Sequence, residues 1–246
     1  MIFVAGAIRR ITTSRRLPLA VTIAGASAVL LCAAGPASAG AAAATAPVPL
    51  GTAAQFAVLG ASTVTNTGPT VLNGDLGLSP GTAITGFPPG QVNGTVYAAD
   101  SVALKAQNDL TAAYNNAAGH PATATIPTEL GGTTVTPGVY NSAAGTFGIT
   151  GTLTLDAQGN RNAVFIFQAA STLITASASK VKLVNGAKAA KVFWQVGSSA
   201  TLGTYSSFKG NIMALASITV TTGVTVTGRA LASTAAVTLD TDTISK

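Results

Sequence analysis

Phe208-Lys209-Gly210-Asn211-Ile212-Met213-Ala214 is matched by Val226-Thr227-Gly228-Arg229-Ala230-Leu231-Ala232 at an offset of 18 residues. The triplets around them, Ala200-Thr201-Leu202, Ile218-Thr219-Val220 and Val237-Thr238-Leu239, recur at offsets of 18 and 19. Alternation of Thr with Val, Leu or Ile marks strands, because side chains alternate between the two faces of an extended chain. A repeat of this length is about one three-sided coil of a parallel β-helix, in which each rung pairs only with its neighbours. On this parity Phe193, Trp194, Leu202, Ile212, Val220 and Leu239 are expected to fill the interior.

Working outward, residues 56–84 show the same habit: short apolar runs such as Ala57-Val58-Leu59 and Asp75-Leu76-Gly77-Leu78 alternate with Gly, Asn and Pro turns. One segment breaks it. Residues 98–118 lack Gly and Pro and set Val102, Ala106, Leu110, Tyr114 and Ala117 at helical spacing. This predicts a helix of about 31 Å, ended by Gly119 and Pro121, with a narrow Ala-rich stripe suited to lying along a flat wall. The fold class expected is all-β with one long helix packed beside a β-solenoid.

Residues 1–39 read as a secretory signal peptide. Arg9, Arg10, Arg15 and Arg16 form a basic start, an apolar stretch follows over 17–34, and Ala37-Ser38-Ala39 is a small-residue cleavage site. Pro18 and Gly25 interrupt the apolar run, which disfavours a membrane anchor; Leu31 before Cys32 disfavours a lipid-modified amino terminus. Residues 40–49 are expected to be a flexible leader, and 50–246 a single domain. Cleavage near Ala39 takes away four of the 13 basic residues and the single cysteine, leaving nine bases against seven acids, a balance of +2. The domain is therefore expected outside the cell without disulfides, and as a monomer.

Little in the chain suits catalysis. The single histidine, His120, lies in Gly119-His120-Pro121 and reads as a helix-ending turn. No Cys or His cluster could hold zinc or iron. Asp240 and Asp242 could share a strand face, but two carboxylates fall short of the six to eight oxygens that calcium takes. Gly131-Gly132 and 145–151 lack the lysine and helix of a phosphate cradle. Lys180, Lys182, Lys188 and Lys191 are spaced by apolar residues and read as solvated strand and turn positions, so no nucleic-acid surface is expected. We expect no catalytic residue, metal, cofactor or small-molecule substrate.

What remains is hydroxyl. The segment after residue 39 holds 33 threonines, and strand parity turns Thr219 and Thr221 outward around Val220, Thr201 and Gly203 around Leu202, Thr238 between Val237 and Leu239, and Thr63 and Thr65 around Val64. Rungs roughly 4.8 Å apart, with alternate residues roughly 6.6 Å apart along each strand, would make a grid of methyl and hydroxyl groups. Such a grid can hold water in an ordered, ice-like layer; outward threonines also serve simply to keep an exposed sheet soluble. A secreted adhesive or matrix module with no action on ice fits the same composition.

The chain also resembles the microbial ice-binding-like domain family, secreted proteins that include ice-binding and antifreeze proteins of bacteria, fungi and algae. The resemblance spans about 50–244. It rests on Phe56-Ala57-Val58-Leu59, Asn73-Gly74-Asp75-Leu76-Gly77-Leu78-Ser79-Pro80, Gly94-Thr95-Val96-Tyr97-Ala98-Ala99-Asp100 and Pro137-Gly138-Val139-Tyr140. Further marks are Val192-Phe193-Trp194-Gln195-Val196-Gly197-Ser198-Ser199-Ala200-Thr201-Leu202, Gly228-Arg229-Ala230-Leu231-Ala232 and Ala236-Val237-Thr238-Leu239-Asp240. It implies a discontinuous right-handed β-solenoid with the first and last parts of the chain interleaved. It also implies that one flat, often Thr-rich face meets ice. That points to Thr201, Thr219, Thr221 and Thr238, with Thr63 and Thr65, as the working surface, Gly203 leaving a gap in it and Asp240 a charge beside it.

Overall fold

The computed structural model describes residues 45–246. The expected signal peptide and the first part of the expected leader lie outside the described residues. Close packing begins at Val48, just ahead of the expected boundary at Leu50: both side chains are buried with Phe56, Leu59 and Leu110.

Short parallel strands wind into a β-solenoid with three walls. Two walls belong to one sheet, because the long strands Ser207–Ala214 and Thr225–Ala232 run through the corner between them. Gly210 and Gly228 make that corner. They are register partners with φ of 118° and 141°, and a Cβ on Gly228 would sit 1.9 Å from the Gly210 carbonyl oxygen. Only glycine fits such a bend, which explains why this residue is kept through the repeat that identifies the coil.

The coils are not stacked in chain order. Val58 pairs with Ala230, Val64 with Val237 and Asn73 with Ser245, so the first coils of the domain continue the stack beyond its last one. The helix Ser101–Gly119 then carries the chain back to the other end. Its 19 residues span ~28 Å at ~1.5 Å each, close to the ~29 Å that separates the outer strands of a seven-stranded sheet.

The helix begins later than the expected 98, since Val96–Ala98 is still a strand and Asp100 supplies the cap, its Oδ1 accepting from the Ala103 amide at 2.8 Å. Its buried face is Ala103, Ala106, Gln107, Leu110, Ala113 and Ala117. Val102, expected in that stripe, is exposed; Tyr114 is half-buried, its hydroxyl accepting from Gln195 Nε2 at 2.7 Å. Alanines suit this face because the bulk comes from the wall: Phe56, Leu59, Ile166, Phe193, Met213 and Leu231 point out of the solenoid into the gap. Phe193 is thus buried under the helix and not inside the coil as expected. Trp194 beside it points inward, and adjacent residues of a strand cannot share a face.

Inside the coil, Trp194 stacks on Phe167 with centroids 4.1 Å apart, and its indole donates to the Lys209 carbonyl at 3.1 Å. Leu202, Ile212, Val220 and Leu239 fill the interior as expected, each fully buried.

Where the last coil meets the first, Asp242 is buried with Oδ1 accepting from the Val224 amide and Oδ2 from the Asp240 amide. The expected shared face for Asp240 and Asp242 is therefore absent: the turn after Val237–Leu239 leaves Asp240 partly exposed and swings Asp242 inward. Burial pushes the Asp242 carboxyl from 3.8 up to about 7, outweighing the two amides that favour its charge. A carboxyl raised in the folded state gives stability that is fully present below its unfolded value and is lost as pH rises through the folded one. Asp109 acts in the opposite sense: hydrogen bonds from the Thr52 hydroxyl and amide, then Lys105, lower it from 3.8 to about 2. The thermal midpoint is expected to rise between pH 2 and 4 and to decline from 4 to about 7. Asp242→Asn should flatten the second limb and leave the first; calorimetry at closely spaced pH values checks both.

Candidate functional site

The second sheet forms a wall of its own. It stacks Phe147–Ile149, Leu173–Thr175, Ala200–Leu202, Ile218–Val220, Val237–Leu239, Thr63–Asn66 and Ala83–Thr85, all parallel. The outward residues align in one row, Gly148, Ile174, Thr201, Thr219, Thr238, Thr65 and Thr85, each opposite the next. Four of the threonines expected from the sequence therefore stand side by side, although Thr65 and Thr238 are 173 positions apart; their hydroxyl oxygens lie 3.5 Å from one another.

A second row runs beside the first. Thr63 lies there opposite Ala83, and Ser199 and Ser217 join it with their hydroxyls 2.9 Å apart. Those serines and Thr85 were missed in the sequence reading. All three were legible: Ala83-Ile84-Thr85 alternates like the other triplets, and Ser199 and Ser217 each stand two residues before an outward threonine, in Ser199-Ala200-Thr201 and Ser217-Ile218-Thr219.

Two expected members belong to the wall's edge. The Thr221 hydroxyl donates to the Leu202 carbonyl at 2.7 Å, so it is tied down at the corner of the coil. Gly203 is no gap in the grid: its amide donates to the Thr175 carbonyl, and a Cβ there would lie 2.5 Å from that oxygen. The corner turns too tightly for a threonine at that point. Beyond Ile174, about half-exposed, and Gly148, on the side away from Thr85, the row meets exposed Glu129, which bridges Gly148.

No charged residue occurs in the seven strands of this wall. Asp240 stands just beyond Val237–Leu239, accepting from the Thr222 and Thr241 hydroxyls, which hold its carboxyl below the usual range. The third wall is different, for Lys180, Lys182 and Lys209 interrupt its threonines. His120 caps the far end of the helix, where its carbonyl accepts from Gln168. Among the described residues, no three His, Cys, Asp or Glu side chains gather as a metal site. Chemically the threonine wall offers regularly spaced methyls and hydroxyls without net charge.

The fold is thus a helix-backed solenoid, and its second sheet presents a flat row of hydroxyls on strands without charge. The chain belongs to the ice-binding-like family, whose model matches residues 58–245. It is 54% identical over 198 residues to an ice-binding protein of Nostoc sp. (strain HG1), covering 80% of this chain and 73% of that one. Among solved structures it is similar to an ice-binding protein from an Antarctic biological consortium, with TM-score 0.81, 49% identity and coverage of 83% and 93%. It is also similar to an ice-binding protein of the Antarctic ascomycete Antarctomyces psychrotrophicus, with TM-score 0.79, 44% identity and coverage of 81% and 98%.

Proposed function

We propose that this protein adsorbs to ice through the threonine wall, and that it does so outside the cell as a monomer after loss of the segment 1–39. The observation that carries the proposal is the in-register row Thr201, Thr219, Thr238, Thr65 and Thr85, in strands that hold no charged residue. Each methyl restrains the hydration layer and each hydroxyl joins it, so water over the row takes positions repeated at about the ~4.8 Å rung spacing. The layer merges with ice at many weak points at once, and no single contact has to be strong.

The test is thermal hysteresis and crystal shape in the presence of the purified protein. Shaped crystals with a freezing gap are expected, with little response to moderate salt beyond the colligative shift, because screening acts on charges and the threonine strands carry none, Glu129 and Asp240 standing only at their margins. Crystals that grow as they do in buffer would overturn the proposal.

A further inference from the structure

We propose that the third wall of the solenoid carries a separate binding groove for a linear acidic polysaccharide. Two adjoining hollows of about 470 and 440 Å³ share Leu183 and Lys209, each within the ~300–1,000 Å³ range of ligand sites. Lys180, Lys182 and Lys209 line the first hollow; Lys188, Lys246 and Arg229 surround the second together with Lys209. Neither lining contains an acidic residue. Among the described residues the one ion pair is Lys105 with Asp109 on the helix, so none of these lysines has a carboxylate partner.

The placement costs the fold something. Lys180 pairs in register with Ser207, and Lys182 and Lys209, two residues further along each strand, line the same hollow. Like charges gathered around one hollow repel, and Lys209 donates to the Thr227 hydroxyl at 2.8 Å. An anion lying in the groove would relieve that repulsion. Arg229 has a structural duty as well, donating to the Ala54 carbonyl and to Asn211 Oδ1. It therefore contributes field more than direct contact.

Shape decides the class of anion. The floor between the lysines is aliphatic, made of Leu183, Ala187 and Ala189, which suits the C–H faces of sugar rings while carboxylates reach the ammonium groups. No aromatic side chain lines either hollow, so bases of a nucleic acid would find nothing to stack on. A bilayer surface cannot follow a concave groove running across the rungs. The threonine and lysine walls are different faces of one solenoid, so a polymer held on one leaves the other free. The inference stands whether or not the threonine wall meets ice.

Calcium-free alginate is the probe, with neutral dextran and a single-stranded oligonucleotide of matched charge beside it, in equilibrium titrations of the purified protein. Binding to alginate and not to dextran is expected, weakening about tenfold between ~0.05 and ~0.5 M salt as screening grows. Lys180→Gln with Lys182→Gln should weaken it about tenfold as well, by removing two exposed charges from the ligand's path. That variant should keep the parent's melting temperature and any ice shaping. Equal affinity for dextran, tighter binding of the oligonucleotide, or a double variant that binds as the parent does would each overturn the proposal.

Discussion

Thr219→Tyr is expected to leave only a small fraction of the parent's thermal hysteresis while its melting curve stays almost unchanged. Thr219 lies in register between Thr201 and Thr238, with rows continuing on both sides. A tyrosine ring there stands above the neighbouring hydroxyls and props the wall away from a crystal surface, so contacts on several rungs are lost together. Stability should shift by no more than about 0.5 kcal/mol, the usual range for an outward position away from caps and buried groups. Thr225→Tyr is the matched control: it is an outward threonine of the third wall, between Ser207 and Thr243 in register, and its hysteresis should equal the parent's. Equal loss in both variants would mean that bulk anywhere interferes, and loss only in the control would move the active surface to the third wall.

Val220→Asp has the largest expected effect on folding. Val220 is fully buried, opposite Leu202 on the adjacent rung, in an interior with no cation to receive a carboxylate. Burying an unpaired acid should cost roughly 3–5 kcal/mol, a large share of the ~5–15 kcal/mol that holds a domain folded. For a domain of this size that lowers the melting midpoint by roughly 10 °C. Thr219→Asp changes the adjacent residue by the same chemistry on the outward side, and should melt within a few degrees of the parent. The pair tests strand parity directly: reversed behaviour would put Thr219 inside and Val220 on the surface.

Both predictions follow from a pattern readable before any coordinates. The offset of 18 between Phe208-Lys209-Gly210 and Val226-Thr227-Gly228 sets the coil length. Alternation sets which side chains face out, and the Gly- and Pro-free run over 98–118 sets the helix, though not its exact start. These are local regularities, because strand parity and helical periodicity are properties of a few consecutive residues. Where parity was not applied strictly, as with Phe193 next to Trp194, the reading failed for that reason alone.

Tertiary structure decided how the coils stack and what each wall is for. Nothing near Thr65 marks Thr238 as its neighbour; the closing of the first coils onto the last makes the row continuous, with the helix returning the chain across the stack. Corner geometry, set by contacts between rungs, removed Gly203 and Thr221 from the open grid. It also turned Asp242 inward while leaving Asp240 partly exposed. The sequence spreads threonines over two uncovered walls, and only their stacking showed that the strands of one hold no charge while the other gathers Lys180, Lys182 and Lys209. Local preference fixes the rung, but the order of rungs depends on pairings between distant residues whose backbone hydrogen bonds leave no trace in the side-chain pattern.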